Sequence, residues 1–178
     1  MGFFKSIATL IKTAIDDGKR YSHFKSMSED ELLKLSDDEL TEGIYTILDL
    51  DCDDNKPSDK QMYFLTISEF CREVNNGGLC QFFVNSSSKY APYVSDSLNA
   101  INAVLLADNF NKFISDNQIN LSNLSSFKIE RVEDFEFQNK RYPFDEFDEQ
   151  FYKLQSKEDI SALLAEFARA NISELIIR

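Results

Sequence analysis

A chain of 178 residues with only 5 glycines and 3 prolines has few places to turn. A β-sandwich or barrel needs a turn signal about every 8 to 12 residues, so this scarcity points to helices joined by short connections. Apolar residues make up 43% of the chain and include 16 phenylalanines, enough to fill a packed interior. The expected fold is all-α: a single compact multi-helix domain over residues 28–178, preceded by an amphipathic N-terminal helix and connection over residues 1–27.

Periodicity and capping signals place the elements. In residues 1–15, Phe3, Ile7, Leu10, Ile11 and Ala14 share a helical face away from Lys5 and Lys12. That segment is too short and too charged to span a bilayer, which needs about 20 apolar residues, and it has no secretory cleavage site. Docking on its own domain or on a second subunit is expected over attachment to a membrane surface, although Met1-Gly2 with Ser6 fits the loose myristoylation pattern. Ser28 with Glu31 and Ser36 with Glu39 have capping-box spacing, which opens helices near 28–35 and 37–50. A further helix, about 58–75, should stop at Asn75-Asn76-Gly77-Gly78, with Leu79, Phe82 and Phe83 packing back. Asn85 and the three serines after it read as a loop. Pro92 should open a helix that runs to about Asp116. Others are expected at Leu124–Phe137, after Pro143 with Phe144, Phe147, Phe151 and Tyr152 as an inward stripe, and from a Ser156 cap to about Asn171.

Charge narrows the range of partners. The net charge of −12 argues against direct binding of nucleic acid. Residues 1–28 carry five basic and two acidic groups, residues 29–60 three basic and twelve acidic, and residues 130–151 three basic and eight acidic. On the 37–50 helix, Asp38, Glu42 and Asp49 lie near the side opposite Leu40, Ile44, Ile47 and Leu48, with the first two about 6 Å apart along the axis. Asp51, Asp53 and Asp54 extend this block, and Glu130, Glu133, Asp134 and Glu136 form a second. These ten carboxylates are the candidate partner-binding face.

Metal and catalytic chemistry are poorly provided for. Asp49, Asp51, Asp53 and Asn55 imitate the start of a calcium loop, but Asp54 stands where the turn requires glycine and Lys60 where a bidentate glutamate belongs. Three cysteines, Cys52, Cys71 and Cys80, lack C-x-x-C spacing, and His23 is the single histidine. No metal site and no cofactor are expected, the thiols should be free in a reducing cytoplasm, and the protein should not be an enzyme.

Residues 73–85, Glu-Val-Asn-Asn-Gly-Gly-Leu-Cys-Gln-Phe-Phe-Val-Asn, resemble the E-V-N-N-G-G-x-x-Q-F-F-x-N signature of the DMP-type DNA-mimic protein family, a bacterial family of small helical proteins. The Ser97–Ala103 stretch is similar to the family's A-L-x-x-I-G-A segment, with Asn102 where glycine is usual. Phe144-Asp-Glu-Phe-Asp-Glu-Gln-Phe-Tyr is close to F-D-x-L-D-x-x-F-Y. The resemblance covers roughly residues 60–170. It implies an all-helical domain, able to dimerise, of a kind whose studied member uses surface carboxylates to occupy the DNA-binding face of a transcription regulator.

Within the signature, Glu73, Asn75, Asn76, Gly77, Gly78, Gln81, Phe82, Phe83 and Asn85 read as structural, with amides capping helix ends and glycine permitting close packing. The functional expectation is therefore a cytoplasmic acidic protein that binds a basic protein, a DNA-binding regulator foremost. The alternatives are an immunity or antitoxin-like protein that neutralises a basic toxin, and an enzyme built on a Glu73, Asn75 and Gln81 pocket.

Overall fold

A computed structural model describes residues 16–51, 56–131 and 133–176, and every regular element among them is helical. The segment expected as an amphipathic helix over residues 1–15 lies outside the described residues, as do Asp53 and Asp54. The first described helix, α1, covers residues 16–26. Both expected capping boxes form. Ser28 Oγ accepts from the Glu31 amide and the Glu31 carboxylate accepts from the Ser28 amide, which opens α2 (Glu29–Leu32). Ser36 and Glu39 exchange the same pair of bonds at the start of α3 (Asp37–Asp51). Leu40, Ile44, Ile47 and Leu48 of α3 are buried as their spacing requires, together with Gly43.

The longest element, α4 (Asp59–Val84), starts with a third capping box, between Ser58 and Gln61. It is two helices in one: the backbone leaves helical geometry at Gly77 and Gly78, where the sequence places a turn. A 3-10 helix follows over Ser86–Tyr93, where a loop was expected, and holds Pro92 inside it. The chain continues through α5 (Val94–Ala100), α6 (Val104–Asp116), a short 3-10 turn at Ser125–Phe127, α7 (Glu133–Asn139), α8 (Phe144–Gln155), α9 (Ile160–Ala170) and α10 (Ile172–Leu175).

Three boundaries differ from the sequence reading, each because a side chain or a left-handed residue takes the backbone elsewhere. The helix expected from Pro92 to Asp116 breaks between α5 and α6. Asn102 takes φ 64°, the Ala103 amide donates to Leu98 O at 2.8 Å and the Asn102 amide to Asn99 O at 3.0 Å, the bond pair of a left-handed helix stop. Asparagine is among the few residues besides glycine that tolerate this conformation.

The helix expected over Leu124–Phe137 begins instead at Glu133. Asn120 and Asn123 accept from the amides two residues on, and Asp134 Oδ2 accepts from the Glu130 and Arg131 amides, so local side chains claim the backbone groups a helix would use. Ser156 does not cap α9. Its hydroxyl donates back to Lys153 O, and Asp159 is the cap, accepting from the Ser161 and Ala162 amides at 3.1 Å.

The core is aromatic and centred on Phe70. Its ring meets Phe82, Phe110 and Phe151 edge-on at centroid distances of 5.2, 5.8 and 5.7 Å, which ties both halves of α4 to α6 and α8. Burying each such ring stabilises the fold by about 1.5–3 kcal/mol. The α3 helix packs on α4 and α9, where Arg169 donates to Leu33 O, Leu35 O and the Asp37 carboxylate at 2.7–2.9 Å and fixes the connection that leads into α3. No described helix is long and apolar enough to cross a membrane.

Candidate functional site

The break in α4 gathers most of the signature residues. Gly78 has φ 78° and ψ 177°, a region open in practice only to glycine, and a Cβ there would lie 2.1 Å from Asp148 Oδ2. A Cβ on Gly77 would lie 2.1 Å from the Gln81 amide oxygen. Asp148 Oδ1 accepts from the Leu79 amide at 2.9 Å and so caps the second half of α4 from α8. Burial pushes the Asp148 carboxyl above its ordinary range, with the Leu79 amide acting in the opposite direction. Four residues further along α8, the Tyr152 hydroxyl donates to Val74 O at 3.1 Å, satisfying a carbonyl of the first half. The two segments that carry the longest parts of the resemblance thus meet: the Phe144–Tyr152 segment satisfies the backbone opened within Glu73–Asn85.

Beside the break two buried carboxylates, Glu69 and Glu73, share Arg72, whose side chain is 60% exposed. Glu73 is 4% exposed and its Oε2 accepts from Gln81 Nε2 and Asn85 Nδ2, both at 2.7 Å, while Oε1 sits 3.1 Å from Arg72 Nη2. Arg72 also reaches Glu69 at 2.5 Å, and Glu69 accepts a short hydrogen bond from the Tyr45 hydroxyl on α3. Burial, then the Glu69 carboxylate, raise the Tyr45 hydroxyl far above its ordinary titration range. Gln81 and Asn85 therefore act on a buried carboxylate, where the sequence reading had amides capping helix ends. Asn75, Asn76 and Gly77 are exposed, while Phe82 and Phe83 are in the core.

A match to the family described as DMP19-like protein spans residues 55–171, about two thirds of the chain. The chain belongs to the DMP19-like family. No curated protein and no solved structure matches it. The family match takes in the break in α4, the Asn102 stop and α8, and begins after α3. Within the DMP19-like region the acidic block at 130–136 is therefore included, whereas Asp38, Glu42, Asp49 and Asp51 precede it.

The acidic residues divide by environment. On α3, Asp38, Glu42 and Asp49 are exposed, and Glu42 forms an ion pair with Arg20 of α1. Asp51, at the end of the helix, accepts from the Tyr21 hydroxyl at 2.8 Å and from Lys25 Nζ at 2.5 Å. In the second block, Glu130 lies in the irregular segment before α7, Glu133 is the first residue of α7, and Asp134 turns its carboxylate to the backbone. Glu136 pairs with Lys140 at 2.6 Å, which lowers its carboxyl below the usual range.

Among the described residues no group of His, Cys, Asp and Glu could hold a metal ion. Cys71 and Cys80 are free, and burial raises both thiols to about 12, which keeps them protonated at neutral pH. Sequence reasoning missed Asp148, Tyr45 and the α1 partners of α3. For Asp148 a faint signal existed, since it stands beside the inward Phe147 and three residues before Phe151.

Proposed function

We propose that the chain is a non-enzymatic acidic protein of the cytoplasm that binds a basic protein surface, the DNA-binding face of a regulator, with its outward carboxylates in place of phosphates. The observation that carries this reading is the rigid mounting of Asp38, Glu42 and Asp49. They project from one helix whose opposite face, Leu40, Ile44, Ile47 and Leu48, is buried and which Arg169 ties down at its entrance. A duplex presents one charge per about 1.7 Å of axis, and carboxylates on a fixed helix can reproduce part of such an array where flexible ones would lose entropy on binding. The net charge of −12 supports long-range attraction of a basic partner. Three cysteines without C-x-x-C spacing suit a reducing compartment.

Glu73 points away from catalysis because both of its oxygens are already engaged by Gln81, Asn85 and Arg72. The test is affinity capture from native lysate with the intact chain. A basic protein should be retained at low salt and released by duplex DNA and by raised salt, because exposed charge contacts are screened over about 8–10 Å. Reversing Asp38, Glu42 and Asp49 to lysine should abolish capture, and undiminished capture would sink the acidic-face reading. Identification of the eluted protein separates a transcription regulator from a toxin.

A further inference from the structure

The acidic side of α3 is not empty along its whole length, because α1 of the same chain lies against it. Arg20 pairs with Glu42, while Tyr21 and Lys25 both reach Asp51 at the far end of the helix. Between these points the Phe24 ring rests on Gly43, where a Cβ would come within 2.7 Å of a ring carbon. Gly43 thus makes a notch in α3 that admits an aromatic ring, with a carboxylate beside it and another two turns on.

The hold on α1 is uneven: Lys25 and Asp51 meet with side chains 29% and 32% exposed, while most of the helix faces outward. Of its residues only Tyr21, Phe24 and Lys25 are even half-buried. The Arg20 and Glu42 side chains are 49% and 53% exposed, and exposed pairs contribute little each. A cleft of about 270 Å³ stays open between Asp17 and Arg20 on one side and Glu42, Tyr45, Asp49 and Leu50 on the other.

We propose that this side of α3 is a seat for a basic amphipathic helix, that α1 fills it in the free protein, and that a basic helix of the partner replaces α1 on binding. The inference rests on the acidic-face reading above and specifies the partner's element. The occupant already seated shows the chemistry required: a cation, an aromatic ring one turn later, and a second cation next to the ring. Helix-turn-helix and related regulators read the major groove with a helix and meet phosphates with basic side chains, so a DNA-binding partner carries an element of this kind. Because α1 competes for the seat, the partner's apparent affinity is reduced by the fraction of chains in which α1 is docked.

The experiment is a fluorescence-anisotropy titration of the intact chain against a labelled synthetic peptide with the sequence of residues 16–27, at low salt. Relative to the wild type, Arg20→Ala/Lys25→Ala should bind the peptide at least tenfold more tightly, because the internal competitor has lost its grip while the seat is intact. Glu42→Lys/Asp51→Lys should not bind it over the same range. Lys112→Ala/Lys153→Ala makes the same change in net charge as Arg20→Ala/Lys25→Ala, away from the seat, and should match the wild type. Circular dichroism on each variant checks that the helices persist.

Equal affinity of the wild type and Arg20→Ala/Lys25→Ala overturns the proposal, and so does a Lys112→Ala/Lys153→Ala gain of the same size. A wild-type dimer in light scattering that Glu42→Lys/Asp51→Lys dissociates would give the seat to α1 of a second copy and overturn replacement by a partner. The lysate capture described above reports separately on the acidic-face reading, so the seat can fail while that reading stands.

Discussion

The break in α4 and the acidic side of α3 use carboxylates in opposite ways. At the break, Glu73, Glu69 and Asp148 are turned inward, and each is met by amides, a guanidinium, a hydroxyl or a backbone N–H of the same chain. On α3, Asp38, Glu42 and Asp49 are turned outward, and Arg20 of α1, which pairs with Glu42, is itself half-exposed. The difference teaches which charges belong to architecture. A buried carboxylate stripped of its donors is a large penalty, so each keeps its own donors within the fold. An exposed one contributes little to folding, so a partner can compete for it.

The contrast can be broken most severely at Gly78. Gly78→Ala forces a side chain into a conformation only glycine accepts and drives it against the Asp148 carboxylate. It should destabilise the protein by about 4 kcal/mol in urea unfolding, combining backbone strain with the loss of the Leu79 cap. Glu73→Ala should come next, at about 3 kcal/mol by the same measurement, because it leaves the Gln81 and Asn85 amides without their acceptor. A value below about 1 kcal/mol would mean that water takes the place of Glu73 as the acceptor for these two amides.

Asn102→Ala should lower stability by about 1 kcal/mol, the penalty for a β-carbon in the left-handed region, with Asn102→Gly tolerated. A smaller effect is expected with pH. The folded Asp148 titrates above its ordinary 3.8, so the fold favours its protonated form. That contribution is complete below 3.8 and is lost as pH rises through the folded value. Asp148→Asn keeps an acceptor for Leu79 and cannot ionise, so it should remove this part of the pH dependence of unfolding. Smallest of all, Asp38→Lys should change stability by less than about 0.5 kcal/mol while weakening capture of the basic partner. A large loss of stability there would erase the distinction between the two regions.

Much of the helical layout was legible because it rests on neighbours in the chain. Apolar spacing placed the buried face of α3 and most of the α8 stripe, and two Ser-x-x-Glu pairs marked helix starts that form as read. Tyr152 departs from the stripe: the residue is 48% exposed, its ring meets Phe151 edge-on and its hydroxyl reaches Val74. The misplaced starts of α7 and α9 arose where several polar residues compete for the same amides. Asp134 and Asp159 prevailed over alternatives that look equivalent in sequence.

The sequence by itself determined that this is a helical, strongly acidic chain with a glycine turn in its longest helix, and that it resembles the family to which it belongs. Each of these is a property of composition or of a few adjacent residues. Tertiary structure alone decided what the charges do. Asp148 meets Leu79 across 69 residues, Tyr152 meets Val74 across 78, and Arg169 meets Leu33 across 136. A hydrogen bond over such a separation exists only once the Phe70-centred core has brought the helices together, because the packing supplies both the distance and the dry surroundings that make the bond matter.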